Sequence, residues 1–107
     1  MKYEHIAWCK EGTADKVWGV ICLQESTAPA ANYYSNYSDG KFVTFWGRRG
    51  AKLQTKTWQG SNWDAISMFQ KKQDKGYRAV ELDELNTVYP EFQQDLEKTA
   101  FWAALQS

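Results

Sequence analysis

The sequence predicts an α+β fold: an antiparallel β-sheet of about four to five strands with one α-helix packed on one face, plus a C-terminal helix. Three observations point there. Short runs rich in β-branched and aromatic residues recur as far as Trp58, broken by polar, glycine-bearing segments. A capping sequence at Ser61 opens a stretch of helical periodicity. The length, 107 residues and 12.4 kDa, suits one domain that buries a core without disulfide or metal staples.

The elements follow in order. Ile6–Cys9 is a short apolar run that reads as a strand end, and Lys10–Lys16, polar with Gly12, as a loop. Lys16–Gln24 (KVWGVICLQ) is apolar on both faces, the pattern of a central strand. Gly19 inside it marks a bulge or a close backbone approach. Glu25–Gly40 is small and polar, holds Pro29 and the Asp39-Gly40 turn signal, and carries Tyr33, Tyr34 and Tyr37. A connection of that length reads as mobile or as a surface in its own right. Lys41–Trp46 (KFVTFW) is the next strand, and Gly47-Arg48-Arg49-Gly50 is a turn whose glycines tolerate positive φ. Ala51–Trp58 alternates, with Leu53, Thr55 and Thr57 on one face and Lys52, Gln54, Lys56 and Trp58 on the other. Lys41–Trp46 and Leu53–Trp58 therefore pair as a hairpin.

Gly60-Ser61 ends the sheet. Ser61 and Asp64 form a capping box, and the helix runs to about Lys75. Ala65, Ile66, Met68, Phe69 and Lys72 share its inner face, and Gly76 suits the position beyond its end. Trp63 and Trp18 are expected in the core. Tyr77–Val80 reads as a short final strand, and Glu81–Asn86 is acidic. A second helix is expected from Pro90 to about Leu105, with Phe92, Leu96, Ala100 and Ala103 as its apolar stripe and Phe101 and Trp102 alongside.

Several function classes fall away. The longest apolar run, Val17–Leu23, is far below the roughly 20 residues of a membrane span. The N-terminal residues lack the apolar stretch of a signal peptide, so no membrane partner is expected. Cys9 and Cys22 form no CxxC pair, and with a single histidine, His5, no metal or other cofactor is expected. Two reduced thiols suit a cytoplasmic protein. Catalysis is not expected either: no nucleophile has a base beside it in sequence context, and no phosphate-binding glycine motif is present.

Charge is more informative. The 13 basic and 13 acidic residues cancel, which argues against a general polycation. They are unevenly placed. Lys41 to Arg78 holds nine basic residues and two acidic ones, a net +7, and the remainder carries −7. A basic hairpin turn flanked by Trp46 and Trp58 has the chemistry for holding phosphate and stacking on a sugar or base. The same residues also suit an ordinary solvated hairpin tip.

Phe45-Trp46-Gly47-Arg48-Arg49-Gly50 lies at a strand-to-turn junction, followed by a strand, a capped helix and Phe69-Gln70-Lys71-Lys72. In that order these elements resemble a WGR domain, named for its Trp-Gly-Arg signature and known from DNA-dependent poly(ADP-ribose) polymerases and from bacterial proteins. The resemblance covers about Ile6 to Val80, so residues 1–80 read as the WGR-like domain and 81–107 as a helical extension packing on it. It implies an antiparallel sheet with one helix across a face. It also implies a stand-alone module that binds nucleic acid, with DNA ends or nicks as the partner. Trp46 would stack on a terminal sugar and Arg48 is the motif arginine. Arg49, Lys52 and Lys56 are candidate phosphate contacts, and Gly47 and Gly50 let the turn approach the DNA backbone. Gln54 stands near the family's glutamine, whereas Lys52-Leu53 departs from its usual pattern. Lys71, Lys72 and Lys75 complete the candidate set.

Other roles for these residues stay open. Trp46 is stacker or core, because Phe45 and Trp46 point to opposite faces and only one can face the helix. Arg48 binds phosphate or braces its own turn through carbonyls. The three lysines bind phosphate or complement the helix dipole. An alternative function is a protein-interaction module, with the acidic C-terminal helix, Phe101 and Trp102 docking a partner.

Overall fold

Alternating side chains build four long strands: β1 (Lys2–Glu11), β2 (Ala14–Gln24), β3 (Gly40–Arg48) and β4 (Gln54–Gly60). A two-residue strand, β5 (Arg78–Ala79), completes the sheet. The structure, a computed structural model, describes residues 2–26 and 39–106. Tyr33, Tyr34 and Tyr37 lie outside the described residues. The strand order is β4-β3-β2-β1-β5, with every neighbouring pair antiparallel. The first strand extends well beyond the expected Ile6–Cys9, because ladder pairs Lys2–Cys22 and Glu11–Ala14 hold its ends.

The central strand is buried on both faces, as its unbroken apolar run requires. Val17 and Ile21 join Val43 and Phe45 on one side, while Trp18, Val20 and Cys22 join Phe42 on the other. Gly19 is a close-approach position and not a bulge. It pairs with Phe45 across the ladder, and a Cβ there would come within 2.3 Å of the Phe45 ring and 2.9 Å of the His5 carbonyl.

The helix α1 (Asn62–Asp74) begins where the sequence places it. The Ser61 hydroxyl accepts from the Asp64 amide at 3.2 Å, and the Asp64 carboxylate accepts from the Ser61 amide at 2.8 Å. Gly76, at φ 102°, follows the helix end. Ala65 is buried, and Phe69 stacks on His5 and Trp18 at 4.7 and 6.3 Å. Trp63 is a correction: it is 77% exposed. At about 100° per residue it lies on the side of the helix opposite Ala65.

The C-terminal segment departs from the single helix expected at Pro90–Leu105. A 3-10 turn (Leu82–Glu84) leads into three short helices, α2 (Leu85–Val88), α3 (Phe92–Glu97) and α4 (Ala100–Gln106). Thr99 makes the break. Its hydroxyl donates to the Leu96 carbonyl at 2.7 Å and accepts from the Trp102 amide at 3.3 Å, closing one helix and capping the next. The break re-aims the expected stripe. Phe92, Leu96 and Phe101 are buried, whereas Ala100 and Ala103 are exposed. The acidic Glu81–Asn86 stretch is partly helical and buries Leu85.

These helices cover the sheet face opposite α1. Phe45 meets Phe92 at 5.0 Å between ring centroids, within a core that includes Ile21, Val43, Tyr89 and Leu96. The sheet is therefore sandwiched between α1 and the C-terminal helices. Among the described residues, no helix is long and apolar enough to cross a membrane.

A methyl group at Gly19 has no room beneath Phe45, so Gly19→Ala is expected to cost about 1–3 kcal/mol in urea unfolding. Trp63→Ala, at an exposed position, is expected to stay within about 0.5 kcal/mol of the parent.

Candidate functional site

Residues of β3 alternate between the two helical layers. Phe45 is fully buried against the C-terminal helices, and Trp46 faces α1 and is half-buried. The expectation that only one of them meets a helix is corrected, because helices lie on both sides of the sheet. Trp46 is at once the margin of the α1-side core and part of an open surface.

That surface is a groove of about 370 Å³ lined by Thr44, Trp46, Lys56, Trp58 and Met68. Ladder register assembles its floor: Trp46 pairs with Gln54, Thr44 with Lys56, and Phe42 with Trp58. The Trp58 indole N–H donates to the Thr44 hydroxyl at 2.8 Å, and its ring stacks on Phe42 at 4.6 Å. Both contacts fix the indole. Met68 supplies the wall from α1. By helical spacing, Lys71 and Lys75 follow Met68 along the same side of the helix.

Arg48 and Lys16 are ladder partners at the end of the same sheet. One Arg48 N–H donates to the Thr13 carbonyl at 3.1 Å, so the arginine braces the β1–β2 turn. Its side chain is exposed, and a guanidinium has five donors, which leaves most of them available. Gly47 and Gly50 take φ of 151° and 85°, conformations that other residues rarely adopt.

The remaining expected residues lie elsewhere. Arg49 is half-buried and tied to partners within the chain. Its guanidinium pairs with Asp15 at 2.9 Å, donates to the Val88 carbonyl at 2.5 Å and lies 5.0 Å from the Trp8 ring centroid. Trp8 donates its indole N–H to the same carboxylate at 2.7 Å. Lys52 stands on the side of the C-terminal helices, beside Asp95 and Lys98. Lys72 lies over the Tyr77 ring at 5.5 Å. Alternation in the sequence puts Gln54, Lys56 and Trp58 on one face, and Trp58 joins Trp46 as an aromatic flank of the basic turn, although the family motif does not include it. Thr44, Met68 and Lys16 were missed, and the alternation of KFVTFW already puts Thr44 beside Trp46.

Among the described residues, no acid pairs with Lys16, Arg48, Lys56, Lys71 or Lys75. The segment from Glu81 to Glu97 carries six carboxylates; Asp95 lies on the opposite side of the sheet, beside Lys52, whereas Glu81 shares a cavity with Glu4 and with Phe69 of α1. Among the described residues, no cluster of His, Cys, Asp or Glu is arranged to hold a metal ion. No family model, curated protein or solved structure matches the chain.

The Trp8 indole N–H, and then the Arg49 guanidinium, hold the Asp15 carboxyl below the usual carboxylate range. A depressed folded-state pKa stabilises the protein above the unfolded value of about 4, and the gain is lost as pH falls through the folded value. Stability should therefore decline below about pH 4, and Asp15→Asn should flatten that part of the profile. At neutral pH the variant is expected to be about 1–2 kcal/mol less stable, read from denaturant midpoints.

Proposed function

We propose that the chain is a nucleic-acid-binding module that recognises DNA ends or nicks. Trp46 stacks on a terminal sugar, and Arg48, Lys56, Lys71 and Lys75 hold the flanking phosphates. The observation that carries this reading is the half-buried indole of Trp46 in an open groove with Lys56 beside it, on the sheet face opposite the one that the C-terminal helices cover. Phosphate favours cations without competing carboxylates, and a sugar or base favours a fixed aromatic face. The resemblance of Phe45–Gly50 to the WGR signature supports the same reading. Arg49 and Lys72 already have partners within the chain, so the phosphate contacts fall to the others.

The alternative, a protein-docking module, draws on the acidic C-terminal helix with Phe101 and Trp102. Phe101 is buried and Trp102 is half-buried against the sheet, which lessens the support for that reading, while Ala100 and Ala103 stay exposed.

With about four phosphate contacts, affinity should be on the order of micromolar and fall roughly 100-fold between 50 and 200 mM salt. Fluorescence anisotropy on a duplex with a 5′-phosphorylated end, against a closed dumbbell of equal length, tests end recognition. Tighter binding to the open duplex is expected, and equal binding to both removes the preference for ends. Trp46→Ala and Arg48→Ala are each expected to weaken binding about tenfold. Unchanged binding in both would remove the site.

A further inference from the structure

The groove beside Trp46 is larger than stacking on one sugar requires. Two indoles, Trp46 and Trp58, line it from adjacent strands, and Met68 closes it from α1. Its volume, about 370 Å³, lies within the roughly 300–1,000 Å³ of small-ligand sites.

Its lining selects the occupant. Flat aromatic walls favour a planar group, and a thioether adapts its shape to the face of a ring. Lys56 at the edge has no acidic partner among the described residues, so the preferred ligand carries negative charge next to its planar part. An aromatic cage for a quaternary ammonium would be opposed by that same lysine. The indole N–H of Trp58 is already donated to Thr44, so that edge is not free to read a base. A planar group flanked by phosphate and recognised through its face is a nucleobase, and the groove has little with which to discriminate among bases. A base inside a duplex has both faces covered by its neighbours. Only an unpaired one can enter.

We infer that this groove receives an unpaired nucleobase from a single-stranded overhang at the DNA end. The inference rests on the nucleic-acid reading above and deepens it: Trp46 meets the terminal sugar, while the first unpaired base turns in between Trp46, Trp58 and Met68. Lys71 and Lys75, on the Met68 side of α1, flank the path of its phosphates.

The test compares one duplex in three forms: blunt, with a two-nucleotide 5′ overhang, and with a two-nucleotide 3′ overhang. Anisotropy is read on the full chain and on Met68→Glu and Trp58→Phe. The parent is expected to bind one overhang form about tenfold tighter than the blunt form. Met68→Glu, which puts a carboxylate in the groove, should bring that ratio close to one, and Trp58→Phe, which keeps a smaller aromatic face, should lower it. The ratio is taken within one preparation, so any loss of folded protein cancels. Equal binding of all three forms by the parent overturns the inference and leaves end recognition standing. An overhang advantage undiminished in both variants removes the groove as its cause. Binding to none of the three overturns the inference together with the reading beneath it.

Discussion

An α-helix with its side chains is about 10 Å across, and five paired strands span roughly 19 Å. One helix therefore cannot cover one face of this sheet. The C-terminal segment solves the problem on its own side with several short helices, which reach from Ile6 of β1 to Phe45 of β3. The other face has only α1, which lies against β1 and β2 through Ala65 and Phe69. Part of the face formed by β3 and β4 stays open in consequence. Any large side chain there is left half-covered, and Trp46 and Trp58 are the residues in that position. The candidate site is the uncovered remainder of the core.

A remainder becomes a usable surface only if it is rigid. Trp58 is fixed by its hydrogen bond to Thr44 and by stacking on Phe42. The turn beyond Trp46 is fixed from the opposite side. Arg49 links the Asp15 carboxylate to the Val88 carbonyl and so ties the β1–β2 hairpin to the C-terminal helices across the turn. Buried Tyr89 donates its hydroxyl to Asp95, and burial together with that carboxylate raises its pKa. Adjacent arginines thus take different roles. Arg49 faces partners already within the molecule, while Arg48 leaves most of its donors in solvent.

The local rules were legible in the sequence wherever a residue interacts with its neighbours along the chain. The Ser61–Asp64 capping box, the alternation of Leu53–Trp58 and the positive φ of Gly47 and Gly50 are all of this kind. Trp63 was readable too, since its angle from Ala65 puts it outside; its size and apolarity argued wrongly for the core. Thr99 was harder. Threonine in a helix interior and threonine as a cap look alike until a second helix turns away, and the sheet decides that turn by drawing in Phe101 instead of Ala100. The fate of Arg49 was not legible, because Asp15 and Val88 are 34 and 39 residues away in sequence. Tertiary pairing alone separates it from Arg48.

The neutral total charge takes on a structural meaning through the same geometry. Asp95 of the C-terminal segment sits on the side of the sheet that those helices cover, and Lys56 of β4 lines the open groove, with Lys71 and Lys75 following Met68 along α1. The sheet, apolar on both faces, holds Asp95 and these lysines apart. Screening over about 8–10 Å at physiological salt weakens the carboxylate field further at the groove. A ligand phosphate arriving there meets mainly the nearby lysines, whereas one approaching the C-terminal helices meets repulsion. Polarisation of this kind concentrates attraction at one place without making the whole molecule adhesive, which a uniformly basic surface of the same size would do.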